Sequence, residues 1–264
     1  GALGVMTAFT VKSVPAYRLK RTVTVLDSKV FLQSLEATAA AHRNFEFYYF
    51  PHTGLVASIV HDLTDEPVTV DTGTDDDEFL QGLLTLRNEL GWAPWLRRYI
   101  ARSEFPRGVV EDRVNESRLL LSTTRPTRFI EMEYHFPRAR GPEMVERVMH
   151  TLDKRGEIFF PMEYRHIAPD TAWLSPFNGG PRASIAIHAA ANERYDYFFT
   201  DFEPMYQEAN ARPHWGKLHT LGRNRLTELY PEFERFLALR SDLDPTGKFL
   251  NVHLAKLFGE TVDA

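Results

Sequence analysis

The apolar positions fall into short alternating runs and a few longer helical stripes. Val5–Val14 and Ala16–Leu26 mix apolar with Thr, Lys and Arg positions on either side of Pro15, and both are predicted as strands with the proline at a turn or edge. Asp27 is placed to cap a helix running to about His42, with Phe31, Leu32 and Leu35 on one face. Phe45–Phe50 alternates and is rich in aromatic residues. Leu55–Val60 follows Pro51 and Gly54, and the two are predicted to pair. His61–Thr74 reads as a long loop. Asp75, Asp76, Asp77 and Glu78 precede a helix over Phe79–Leu90. Four acids suit a helix N-terminus facing water, a cation site being the other reading. Gly91–Arg118 shows no period and is predicted irregular.

Arg118–Thr123 and Arg128–Phe136 read as a further strand pair. Gly141-Pro142 opens a helix whose Val145, Val148, Met149 and Leu152 fall at i, i+3, i+4 and i+7, closing at Gly156. Strands follow at Ile158–Ile167 and Ala183–Ala189, and helices near Asp196–Glu208 and Pro231–Leu239. With no internal repeat and no phosphate-binding glycine fingerprint, strands separated by single helices predict an α+β fold. Its sheet is largely antiparallel and flanked by helices.

Composition narrows the classes. The chain has 264 residues, 43% of them apolar and 25% charged, which suits a substantial globular core and argues against disorder, collagen and coiled coil. The net charge, 31 − 36 = −5, comes without a basic block, so a nucleic-acid partner is not expected. No apolar run approaches the roughly 18–20 residues of a membrane helix, so membrane association is not evident. The absence of cysteine removes disulfides, thiolate zinc sites and cysteine nucleophiles, and is compatible with a reducing compartment. The chain opens at Gly1 with neither methionine nor signal-peptide regions and runs straight into a strand-like segment, so residues are expected upstream.

Three places put ionisable groups in apolar settings. In Met162-Glu163-Tyr164-Arg165-His166, Glu163 and Arg165 share a strand face about 6.6 Å apart, at roughly 3.3 Å per residue. Such a pair offers acceptors and a donor fork to a polyhydroxy compound, or forms a structural ion pair. In Arg212-Pro-His-Trp-Gly-Lys217, Pro, Trp and Gly fix the backbone around His214 and Lys217. The lysine can stabilise a developing oxyanion, or sit exposed on a turn. Glu131, Glu133 and His135 place two carboxylates and an imidazole on one strand face, which suits either a non-thiolate metal site or a solvated face.

With these residues in place, the chain resembles the C-terminal part of the FAD-linked aldonolactone oxidoreductases, the D-arabinono-1,4-lactone and L-gulono-1,4-lactone oxidases or dehydrogenases with the related alditol oxidases. The resemblance rests on Gly1-Ala-Leu-Gly-Val5, Phe129-Ile-Glu-Met-Glu-Tyr134, Met162-Glu-Tyr-Arg165, Arg212-Pro-His-Trp-Gly-Lys217 and Leu243-Asp-Pro-Thr-Gly-Lys-Phe-Leu-Asn251. It implies a cap domain of vanillyl-alcohol-oxidase type at residues 26–264. Residues 1–25 would be the tail of an FAD-binding domain that otherwise lies upstream. It implies FAD as cofactor, held mostly by that missing N-terminal domain, and a sugar lactone or polyol as substrate. Glu163, Arg165 and Lys217 take the catalytic positions and His188 a substrate-binding one, where a threonine is usual in alditol oxidases. Gly1, Ala2, Gly4 and Val5 fall at the cofactor side. His214, next to Trp215, is assigned there too. The isolated chain is expected to be inactive without its N-terminal half, and a cytoplasmic location is expected, with membrane association as the alternative. From a different class, a non-catalytic carbohydrate- or partner-binding module fits the same residues, and a metal-dependent enzyme would use Glu131, Glu133 and His135.

Overall fold

The computed structural model describes residues 1–69, 76–122 and 127–260. In chain order the elements are β1 (Arg18–Asp27), α1 (Ser28–Ala41), β2 (Asn44–Phe50), β3 (Leu55–Thr64), α2 (Asp76–Leu90), α3 (Pro94–Glu104), β4 (Gly108–Glu116) and α4 (Ser117–Leu120). They continue with β5 (Phe129–Pro137), α5 (Gly141–Lys154), β6 (Met162–Ile167), β7 (Arg182–Ala190), α6 (Glu203–Glu208), β8 (Arg212–Pro213), α7 (Arg223–Leu229), α8 (Phe233–Leu243) and α9 (Val252–Phe258). A π-helical turn at Phe198–Phe202 leads into α6.

The eight strands form one sheet in the order β4-β1-β3-β2-β6-β7-β5-β8, with every pairing antiparallel. This is the predicted α+β architecture. Because strand side chains alternate, the register sorts residues onto two faces. On one, Phe47, Tyr164, Ile185 and Tyr134 are fully buried. They meet Phe31 and Leu35 of α1 and Val145, Val148 and Leu152 of α5 in one core. Asp27 caps α1 by accepting from the Lys29 amide at 3.1 Å. The N-terminus of α5 can press onto the sheet because residue 141 is glycine: a Cβ there would lie 2.8 Å from the Ala183 Cβ, closer than packed carbons approach.

The other face is divided. Toward β1 and β3 it is apolar, with Val23, Val25 and Ile59 packed beneath Phe105 and the α2 residues Leu83 and Leu86. Toward β5, β6 and β7 it carries Glu131, Glu133, His135, Glu163, Arg165 and His188 in register. No helix among the described residues is long and apolar enough to cross a membrane.

Several expectations are corrected. Residues 5–14 form no strand: both edges of β1 are taken by β3 and β4, and Val5, Met6, Phe9, Val11 and Val14 stay exposed. The first strand begins at Arg18, so the division drawn after residue 25 passes through β1. The supposedly irregular Gly91–Arg118 holds α3 and β4. β4 escaped notice because it turns Glu111 inward, against the usual polarity of a strand. Residues 117–120 form the short helix α4, so β5 pairs with β7 and β8 and has no upstream partner there. The loop predicted from residue 61 gives its first four residues to β3. Asp75, Thr123 and residues 70–74 of that loop lie outside the described residues. The strand predicted from Ile158 begins at Met162, and α7 and α9 were not anticipated.

Candidate active site

β5 carries the site because Met132 and Tyr134 are wholly buried on the core side, which forces Glu131, Glu133 and His135 to the other. Glu133 is 2% exposed. Its Oε1 accepts from Arg165 Nη2 at 2.8 Å and from Ser184 Oγ at 2.6 Å. Arg165 Nε lies 3.0 Å from Glu163 Oε1, so one guanidinium bridges two buried carboxylates. Burial works against the charged form of Arg165, but Glu163 and Glu133 outweigh it and raise its pKa. The Glu163–Arg165 face-sharing pair is therefore present, and Tyr164 between them points into the core, where its hydroxyl meets His166 Nε2 at 3.0 Å.

Lys217 arrives from the end of β8. The Arg212–Lys217 segment runs along β5, its His214 amide donating to the Glu133 carbonyl at 3.0 Å and the Leu218 amide to the Glu131 carbonyl at 3.1 Å. Most residues of the motif help to hold this path. Arg212 Nε donates to the Leu229 carbonyl at 2.8 Å, and its guanidinium stacks on Tyr230. Trp215 Nε1 donates to the Leu174 carbonyl at 2.6 Å. His214 Nδ1 accepts from the Gly216 amide at 3.1 Å, closing the turn. The ammonium of Lys217 then pairs with Glu131 Oε2. His188 Nδ1 meets the Pro161 carbonyl at 2.9 Å, an acceptor, so this nitrogen carries the hydrogen. The other ring nitrogen stands 3.7 Å from Glu131 Oε1, too far for a hydrogen bond but within electrostatic reach. Burial pushes the Glu131 carboxyl up, yet His188 and Lys217 outweigh it and hold the pKa at about 2.

Glu163, Arg165, Lys217 and His188 thus share one face, linked through Glu131 and Glu133, which stand about 6.6 Å apart on β5 at roughly 3.3 Å per residue. The sequence reads these two glutamates, with His135, as either a metal site or a solvated strand face. In the structure each already holds a cationic side chain, and no group of three His, Cys, Asp or Glu residues among those described is arranged for a metal. The alternation of these acids with Met132 and Tyr134 indicated their face but not their partners. Ser184 had no such signal. At the chain start, Ala2 is buried in the main core, whereas Gly1 and Val5 are exposed and Gly4 takes a positive φ of 134°. His214 is half-buried, its ring 6.0 Å from that of His135.

The sequence profile of the D-arabinono-1,4-lactone oxidase family matches residues 9–257. An L-gulono-1,4-lactone dehydrogenase of Mycobacterium tuberculosis is 32% identical over 98% of this chain and 62% of its own length. An L-gulonolactone oxidase of Bos taurus is 28% identical over 98% of this chain and 61% of its own. The chain therefore spans about three-fifths of the length of these relatives. Among solved structures, a cholesterol oxidase from Brevibacterium sterolicum shares the fold with a TM-score of 0.68 at 13% identity, over 92% of this chain and 60% of that one. By the extent of the profile match, the chain belongs to the D-arabinono-1,4-lactone oxidase family of FAD-linked aldonolactone oxidoreductases.

Proposed function

We propose that this chain is the substrate-binding part of an enzyme that oxidises a secondary alcohol of an aldono-1,4-lactone or related polyol. The carrying observation is the pair of cations, Arg165 and Lys217, on one sheet face, each fixed by a carboxylate of β5. Their side chains remain 38% and 30% exposed, so they are anchored at one end and open at the other. That donor set fits a flat cofactor with carbonyl acceptors and a polyhydroxy substrate lying between. FAD, when bound, supplies the hydride acceptor. Arg165, Lys217 and His214 would face it. The Gly1–Val5 segment would touch it from the chain start, and most of its contacts would come from an N-terminal domain.

Glu163 accepts a hydrogen bond from a substrate hydroxyl and so sets which carbon is presented. Arg165 and Lys217 direct N–H donors at the reacting oxygen, where negative charge grows as its proton passes to solvent water. Such charge is stabilised most by donors that need not reorganise. Glu133 and Glu131 supply that fixity. His188 and the neighbouring Phe160 close the apolar end of the face.

The test is a comparison of flavin content and turnover in the full-length protein, assayed with L-gulono-1,4-lactone, D-arabinono-1,4-lactone and xylitol. Lys217→Met is expected to retain flavin and lose about 10²–10³ in turnover, the usual cost of one oxyanion donor. Unchanged turnover would remove Lys217 from the reaction. Binding of lactone with no turnover by a flavin-loaded protein would make the chain a carbohydrate-binding module instead.

A further inference from the structure

Away from this face, the β2–β3 turn meets α2, α3 and the approach to β6 around a small, partly open cavity. Its wall includes His52, Arg87, Arg97, Arg98 and Phe159, and no carboxylate lines it among the described residues. Arg97 is only 4% exposed. Its Nη1 donates to the Gly156 carbonyl at 2.6 Å, while Nη2 is buried without a partner. A guanidinium does not shed its proton in a protein, so this buried charge has no internal remedy. Its neighbours make matters worse, since burial and the charges of Arg98 and Arg87 all act against it. Arg87 is engaged elsewhere, with Nη2 at 2.6 Å from Glu193 Oε1 and its guanidinium over the Phe159 ring. Arg98 is exposed at the rim.

His52, in the same lining, presents the complementary defect. His52 is 6% exposed and bonds the Arg155 carbonyl through Nε2 at 2.9 Å, so Nε2 carries the hydrogen. Nδ1 is then an acceptor, and it too is buried without a partner. The imidazole is held there by its own backbone, at a φ of 69° and with its amide donating to Asp153 Oδ1 at 2.7 Å. The other oxygen of Asp153 accepts from the Tyr49 hydroxyl at 2.6 Å. Burial, with Arg97 second, keeps His52 in its neutral form.

Two residues lining one cavity, both more than nine-tenths buried, therefore each hold a buried polar atom without a partner, one a cationic donor and one a neutral acceptor. Water would satisfy the hydrogen bonds and leave the charge uncompensated. A hydrogenphosphate group answers both, its anionic oxygen accepting from Arg97 Nη2 and its P–OH donating to His52 Nδ1. We propose that this cavity is a binding site for a protonated phosphate group, with Arg97 and His52 as its floor and Arg98 as its rim. Phe159 in its wall packs on Phe160, which packs on His188, so the cavity borders the candidate active site without sharing its charged residues.

The experiment is thermal unfolding of the full-length protein in sodium phosphate, sulfate or glycerol phosphate at constant ionic strength. Phosphate is expected to raise the midpoint saturably, as a ligand bound only to the folded state does. Sulfate, which has no proton to give at neutral pH, should need at least fivefold more for the same rise. Arg98→Ala should raise the half-saturating phosphate concentration at least fivefold. His52→Asn, in which asparagine tolerates the left-handed backbone, should erase the preference of phosphate over sulfate. Arg97→Met should abolish the response, and if that variant does not fold, the other two decide. A response to glycerol phosphate equal to that of phosphate assigns the site to the end of an ester, and its absence to the free ion. No saturable rise in the wild type, or responses untouched by Arg98→Ala and His52→Asn, would overturn the proposal.

Discussion

The two faces of the sheet bury carboxylates to the same depth and treat them in opposite ways. Under the helices, Glu203 is 2% exposed and is satisfied by neutral donors: the Tyr134 hydroxyl at 2.5 Å, the Thr220 amide at 2.7 Å and the Thr220 hydroxyl at 2.6 Å. On the other face Glu133, also 2% exposed, is satisfied by Ser184 and by Arg165, a cation that itself remains partly open. The first arrangement ends at the carboxylate and ties the chain after α6 to β5. The second passes charge outward, with the carboxylate as anchor and the cation as tip. Burial alone therefore does not mark a functional acid; what its partner still faces does.

The strongest way to break this comparison is to remove the tip on one face and the packing on the other. Arg165→Met leaves Glu133 and Glu163 without their shared cation. It should cost about 10²–10³ in turnover. Phe136→Ala on the core face should cost about 3–5 kcal/mol of stability, the range for deleting a buried aromatic ring, with turnover of the remaining folded protein unchanged. Urea unfolding and steady-state assays on both variants check the pair. If Phe136→Ala lowers turnover per folded molecule as much as Arg165→Met does, the division of labour between faces is wrong.

Acid should expose the same contrast. Burial holds His135 on the site face at about 4, and His166 on the core face likewise. Since an unfolded histidine titrates near 6.5, the neutral folded form contributes its full stability above that pH and loses it as pH falls toward 4. Glu131 adds a lower step: held at about 2, it stabilises above its unfolded value near 4.5 and stops doing so as pH falls toward 2. Each step is on the order of 1–3 kcal/mol. His135→Phe should flatten the upper limb of a stability–pH curve and Glu131→Gln the lower. An upper limb unaltered in His135→Phe would mean that His135 is already charged in the folded state.

What the sequence revealed of this arrangement followed from the strength of local alternation. β2, β5 and β7 were legible because apolar residues repeat every second position, and α5 because its stripe repeats at helical spacing. β4 was not, since Glu111 faces inward beside Arg21 and Arg113 and cancels the alternation. The Glu163–Arg165 pair needed only two residues of one strand. The link from Lys217 to Glu131 needed β8 to lie beside β5, a contact between residues 86 positions apart that no local pattern encodes. The family resemblance supplied Lys217 without supplying its partner.

The finest test removes one hydroxyl from each buried carboxylate. Ser184→Ala takes a donor from Glu133, and Tyr134→Phe takes one from Glu203. Both hydroxyls are wholly buried, and both substitutions leave the rest of the packing nearly intact. A hydrogen bond to a charged group is worth about 1.5–3 kcal/mol, and each carboxylate keeps other donors, so a loss of about 1–2 kcal/mol is expected from either change. Their effects on catalysis should differ. Without Ser184, Glu133 is free to turn, and Arg165 loses the orientation that makes its donors useful before the reaction begins. Turnover should fall several-fold at pH 7 while KM changes little, because the defect lies in fixity and not in contact with substrate. Tyr134→Phe should lower the unfolding midpoint and leave turnover and KM as they were. Ser184→Thr, which restores a hydroxyl at the same position, should recover part of the turnover. Equal kinetic effects from the two hydroxyl deletions would show that Glu133, like Glu203, only holds the fold together.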